Sequence, residues 1–143
     1  MAPWALAIFH FVNVGMFRLF GRRMRVQGRP LLLLTTTGAK TGRVRQTTLG
    51  WFPGDEGGLE SRLVVASAAG AAAHPAWYVN LARRPDGAAI DVDGHHYPVN
   101  ADSLRGPERD RAWARIVALA PGYGKYEQQT DREIPVVRLT RKS

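Results

Sequence analysis

The sequence predicts one domain of α+β or barrel type, mainly β, and three observations carry that reading. About six short segments rich in apolar and β-branched residues are bounded by Gly, Pro or Asp turn signals, the pattern of short antiparallel strands. Helical stretches fall between hairpins and do not alternate with single strands, so a βαβ Rossmann sheet is excluded. The chain has 143 residues, enough for one core and too few for two. Its 45% apolar and 22% charged content is that of a globular domain, not a disordered one. Cysteine is absent, which removes disulfides, thiolate nucleophiles and cysteine-ligated metals.

Residues 3–20, PWALAIFHFVNVGMFRLF, are apolar but interrupted by His10, Asn13 and Arg18, and the run is barely long enough to cross a bilayer. No charged residue precedes it and no convincing cleavage site follows, so it does not read as a signal peptide. At helical spacing Trp4, Ile8, Phe11, Val12 and Leu19 form an apolar face that leads into Arg18, Arg22, Arg23 and Arg25. Residues 1–28 are therefore expected to be an amphipathic helix and connector, and residues 29–143 the barrel domain. The helix either docks peripherally on an anionic membrane or packs on its own barrel. A cytoplasmic location, with contact at the inner face of the membrane in the first case, is the expectation.

After Gly28 and Pro30, LLLLTTT at 31–37 reads as a buried strand. A Gly-flanked basic loop, GAKTGRVR at 38–45, separates it from a second strand at 46–53, which Pro53, Gly54 and Asp55 end. Gly57-Gly58 turns into the strand RLVVASA at 62–68, and an Ala/Gly loop follows at 69–73. A short helix runs from His74 to about Arg84, with Pro75 suited to its first turn, and Pro85-Asp86-Gly87 closes it. AAIDVDG and HHYPVNADS form a hairpin across Asp93-Gly94. The last elements are a helix from Gly106 to about Leu119, stopped by Pro121-Gly122, and a strand at 134–140.

Charge is distributed unevenly. Residues 1–45 carry eight basic side chains and no acidic one, whereas residues 46–143 carry twelve of each. The net charge of +8 thus lies wholly in the N-terminal third and points to an anionic partner there: phosphate, nucleic acid or lipid. The loop TTTGAKTGRVR concentrates hydroxyls, glycines, Lys40, Arg43 and Arg45 between two strands. That composition suits an anion cradle, in which glycines admit backbone N–H groups and arginine adds bidentate hydrogen bonds. It also suits a solvated basic turn. It is not a Walker loop, because the G-x-x-x-x-G-K-[ST] spacing is missing and a strand follows.

Three blocks, TTTGAKTGRVR, HPAWYVNL and PGYGKYEQQTDREIPVV, occur in an order and spacing that resemble the deazaflavin (coenzyme F420)-dependent nitroreductase and quinone reductase family. The resemblance covers essentially residues 30–140. It implies a split β-barrel like the pyridoxamine-phosphate-oxidase, FMN-binding type, and coenzyme F420 as hydride donor, ahead of FMN or FAD. It implies that Lys40, Thr41, Gly42 and Arg45 surround the coenzyme's phosphate and acidic tail, with Thr37 and Gly38 also counted as coenzyme-binding. Leu49, Trp77 and Asn80 match positions near the ring system, with Trp77 either a core residue or the cofactor wall, and Ser67 and Gly70 are counted with the coenzyme site. Tyr123 and Tyr126 resemble tyrosines that close the substrate side; either of them, or water, protonates the reduced acceptor, or the two serve packing. The chain departs from the commonest family pattern in having Ala39 before the loop lysine and Ala68 after Ser67, each in place of a basic residue. Arg43 is the loop residue expected to compensate.

The implied reaction is hydride transfer from the reduced 8-hydroxy-5-deazaflavin to a quinone, nitroaromatic or other planar electron-poor acceptor. The competing reading is a non-enzymatic binder of a deazaflavin, flavin, haem or lipid. Nucleic acid is suggested by charge alone, and strands 61–68 and 88–93 lack the interleaved aromatic and basic residues it requires. His95 and His96 are adjacent on a strand and face opposite ways, which disfavours a shared metal. His74 is expected to serve helix entry, and Asp131-Arg132-Glu133 to form local ion pairs that orient the last strand.

Overall fold

Four consecutive leucines, Leu31 to Leu34, are all buried, which requires a strand covered on both faces. That strand is β2 (Arg29–Thr37), and in the computed structural model, which describes residues 25–26, 28–54, 61–67 and 73–142, it is the hub of the sheet. It pairs antiparallel with β1 (Arg25–Val26), β3 (Val44–Gly50) and β6 (Ala89–Val92). The sheet continues through β7 (His95–Ser103), β8 (Val136–Arg141), β5 (Ser61–Val65) and β4 (Phe52–Pro53), every pairing antiparallel. Only Trp51 separates β3 from β4 in sequence, yet the two lie at opposite ends of the sheet. The sheet therefore curls until its edges approach, which makes the half-closed barrel that the sequence reading anticipated.

Two apolar clusters follow from the two-residue period of the strands. Val64 and Ala66 on β5 and its extension, with Val137 and Leu139 on β8, point to an inner cluster with Leu32, Leu34 and Ile90. The alternate residues Leu63, Val65 and Val136 face an outer cluster. Helix α2 (Gly106–Leu119) covers that outer face with Ala112, Trp113 and Ile116, one side of a helix. Full burial of a side chain such as Leu32 or Leu34, each 0% exposed, stabilises the fold by roughly 1.5–3 kcal/mol.

The hairpin across Asp93 and Gly94 forms as expected, with φ of 52° and 78° matching a two-residue type I′ turn. Other elements differ from the sequence reading. The expected strand at 46–53 is interrupted at Trp51, whose N–H donates to Pro30 O at 3.0 Å as the chain crosses to the other sheet edge. Pro121-Gly122 does end α2, but a third helix, α3 (Gly122–Gln129), begins at once. Two glycines in GYGKYEQQ hide it by lowering helix propensity, and Tyr123 holds it in place by packing against Phe52. Pro75 is the N-cap of α1 (Ala76–Arg83), one position earlier than the first helical turn. The expected N-terminal helix lies outside the described residues, and Arg25–Val26, within the expected connector, join the sheet as β1.

Candidate functional site

The β2–β3 loop closes on itself before it meets anything else. Gly38 N donates to Arg43 O at 2.7 Å, Gly42 N to Gly38 O at 2.9 Å, and Arg43 N to Thr41 Oγ1 at 3.2 Å. A Cβ on Gly38 would lie 3.0 Å from Thr41 Oγ1 and 3.2 Å from Arg43 O, so this turn has no room for a larger residue. Gly42 sits at φ +73°, where L side chains are strained.

Helix α1 then grips the loop from the side. Asn80, 8% exposed, accepts the Ala39 N–H on Oδ1 at 3.0 Å and donates from Nδ2 to Thr36 Oγ1 at 3.2 Å. Arg84 Nε donates to Ala39 O at 3.4 Å, and its guanidinium stands near Gly42, 3.7 Å from where a Cβ would be. Both backbone groups of Ala39 are thus tied to α1.

Between loop and helix lies an open cavity of about 650 Å³, a volume typical of small-molecule and cofactor sites. The loop and β3 contribute Gly38, Lys40, Thr41 and Arg45, and α1 contributes Trp77, Asn80 and Arg83. Three of the lining residues are cationic and none is acidic. Trp77 lines the cavity, is 8% exposed and belongs to the inner cluster as well, so it is both core and cavity wall. Such a site suits a ligand with a flat apolar part and an anionic arm.

Six of the eleven implied cofactor residues meet at this cavity: Gly38, Lys40, Thr41, Arg45, Trp77 and Asn80. Gly42 shapes the loop behind it. Thr37 ends β2, with its Oγ1 3.1 Å from a Cβ built on Gly87, and lines no part of the cavity. Leu49 packs against the inner cluster. Ser67 is buried and its carbonyl accepts from Arg132 Nη2 at 2.7 Å. Gly70 lies outside the described residues.

Tyr123 and Tyr126 belong to the outer cluster, their rings edge to face with centroids 5.6 Å apart, and neither lines the cavity. Burial, reinforced by the neighbouring Tyr126, pushes the Tyr123 hydroxyl above the ordinary tyrosine value, with Arg29 opposing. Arg43, the expected compensating cation, is exposed and is not among the cavity residues. Sequence reasoning missed Arg83, although the signal was present: Ala76, Val79, Asn80 and Arg83 all line the cavity at the spacing of one helix face.

The remaining polar candidates have structural partners. His96 Nδ1 meets Asp91 Oδ1 at 2.5 Å, and among the described residues no group of three metal-ligating side chains gathers. His74 Nδ1 lies 3.1 Å from Arg132 Nη1, with its ring against Tyr78. Glu133 reaches Arg109 on α2 at 3.6 Å and Arg132 reaches the Ser67 carbonyl, so the 131–133 segment is tied to the helix layer and to the chain just past β5.

A half-closed antiparallel barrel with a cation-lined cavity beside its first hairpin defines a split-barrel coenzyme-binding protein. A family model described as F420H(2)-dependent quinone reductase matches residues 14–141. An F420H(2)-dependent quinone reductase of Mycobacterium tuberculosis is 38% identical over 122 residues, spanning 82% of this chain and 78% of that protein. Among solved structures, an F420-H2 dependent reductase (FDR-A) has a TM-score of 0.66 at 37% identity, covering 78% of this chain and 94% of that one. A candidate pyridoxamine 5′-phosphate oxidase from Listeria innocua shares the fold alone, at 11% identity and TM-score 0.52, over 91% of this chain and 90% of that one. The chain belongs to the F420H(2)-dependent quinone reductase family.

Proposed function

We propose that the cavity between the 38–43 loop and α1 is where this F420H(2)-dependent oxidoreductase holds its coenzyme while a quinone-type acceptor is reduced. The observation that carries this reading is the meeting of Lys40, Arg45 and Trp77 at one carboxylate-free cavity of about 650 Å³. When bound, the reduced 8-hydroxy-5-deazaflavin supplies the hydride.

The chain's own part is to bind and aim. Lys40 and Arg45, with the Thr41 hydroxyl on the same loop, would hold the phosphate. Gly38 permits the tight turn that points them inward, and Asn80 fixes the loop against α1. Trp77 would form the apolar wall for the ring system, with Leu49 packed against the same cluster, while Thr37 and Ser67 are assigned to the site on resemblance. Gly70 is assigned to the same site on resemblance. Tyr123 and Tyr126 are proposed, on resemblance, to act from the acceptor side, although their rings belong to the outer cluster and not to the cavity lining.

Nitroaromatics and other planar electron-poor molecules are proposed as further acceptors, since reducing any of them asks only for a flat approach to the ring. Peripheral contact with the inner face of the membrane is proposed from the sequence of residues 3–25, where an apolar run at helical spacing is followed by Arg18, Arg22, Arg23 and Arg25. Among the described residues no helix is long and apolar enough to cross a membrane.

The test is to mix the purified protein with reduced coenzyme and a menaquinone analogue and to follow coenzyme oxidation at its visible band. Stoichiometric oxidation with quinone present is the expected result. Absence of both binding and turnover would overturn the reading.

A further inference from the structure

The loop that meets the coenzyme lacks a basic side chain at Ala39, and the structure brings cations to that loop from another element. Arg83 is the last residue of α1 and Arg84 its C-cap, and the first lines the cavity while the second bonds the loop. Arg83 lines the cavity on the helix face that also presents Asn80, opposite the hairpin that carries Lys40 and Arg45. Arg84 donates to Ala39 O at 3.4 Å and stands over Gly42. Helix and hairpin therefore present cations to one space from two sides, with no acidic residue among its lining.

A single phosphate needs only one of these arms. Lys40 and Arg45, with the Thr41 hydroxyl beside them, already form a set sufficient for one oxyanion. A cation on the opposing wall is explained by a ligand with a second, separate anionic group. Resting on the coenzyme assignment proposed above, we propose that Arg83 binds the carboxylates of the coenzyme's acidic tail, while Arg84 holds the 38–43 loop in the conformation that receives the phosphate. The chain then discriminates tailed from tail-free deazaflavin by a residue of α1, not by the loop itself. Arg83 is exposed, so its contribution is screened by salt and falls as ionic strength rises.

The experiment is equilibrium titration of the full chain, read by quenching of deazaflavin fluorescence, with two probes: the coenzyme bearing its glutamyl tail, and the truncated form that ends at the phosphate. Arg83→Ala is expected to weaken the tailed probe on the order of tenfold at low salt and to leave the truncated probe within about twofold of wild type. Retained binding of the truncated probe also establishes that the variant is folded. Arg83→Lys is expected to recover part of the loss, because a point charge is kept but the bidentate fork is not. An equal loss for both probes, or no loss for either, would overturn the assignment of Arg83 while leaving the coenzyme site standing. A wild-type chain that binds neither probe would overturn both.

Discussion

Asn80 Oδ1 accepts the backbone N–H of Ala39 at 3.0 Å, joining the second turn of α1 to the tip of a hairpin forty-one residues earlier. The same side chain donates to Thr36 Oγ1 at 3.2 Å, so one amide organises both the loop and the strand it leaves. Because Asn80 and Thr36 are both buried, replacing the amide strands a hydroxyl and an N–H with nothing to bond. Asn80→Ala should lower the stability by about 1–3 kcal/mol and weaken coenzyme binding together. Urea unfolding and a fluorescence titration on one preparation check this, and a loss of stability with unchanged affinity would separate the loop from the site.

Lys40 and Arg45 are exposed, so their effect is electrostatic and sensitive to salt. Lys40→Ala and Arg45→Ala should each raise the coenzyme Kd on the order of tenfold at low ionic strength, with the difference from wild type shrinking as salt is added. Titration at several salt concentrations measures both features. A loss that ignores salt would mean the residues act through loop shape instead of charge.

Gly42 at φ +73° carries a purely conformational prediction. Alanine there has open space apart from the flexible Arg84 guanidinium 3.7 Å away, so its cost is backbone strain of about 1–2 kcal/mol. The loop relieves that strain by shifting, and Gly42→Ala should therefore weaken binding more than it lowers the unfolding midpoint. Comparing the two measurements on one variant checks which response the loop takes.

Much of this was legible in the sequence, and the parts that were not share a cause. The leucine run at 31–34, the Asp93-Gly94 turn and the Gly106–Leu119 helix are encoded locally, by burial pattern and turn chemistry, and the structure keeps them. Helix α3 and the break at Trp51 are imposed by contacts distant in sequence: Tyr123 against Phe52, and Trp51 N against Pro30 O. At the site, the loop residues were legible because glycine and basic residues cluster there. Arg83 shares a helix face with Asn80, which the sequence does show, but that this face meets a hairpin whose Lys40 lies forty-three residues earlier is decided by the fold. Tyr123 and Tyr126 were legible as a pair, but their place in the outer cluster depends on α3, which carried no local signal.

Tyr123 links this outer cluster to pH. Its hydroxyl is raised above the ordinary value near 10, first by burial and then by Tyr126, with Arg29 opposing. The unfolded chain releases that proton near the ordinary value while the folded chain keeps it, so between the two values the unfolded state binds fewer protons. Stability contributed by this difference is fully present below about pH 10 and is lost as pH rises through the folded value. The unfolding midpoint of the wild type should therefore fall with pH above about 10, and Tyr123→Phe should fall less steeply over the same range. Thermal melts from pH 8 to pH 11, compared between the two, measure the slope difference. Parallel slopes would show that the Tyr123 hydroxyl ionises as readily in the folded chain as in the unfolded one.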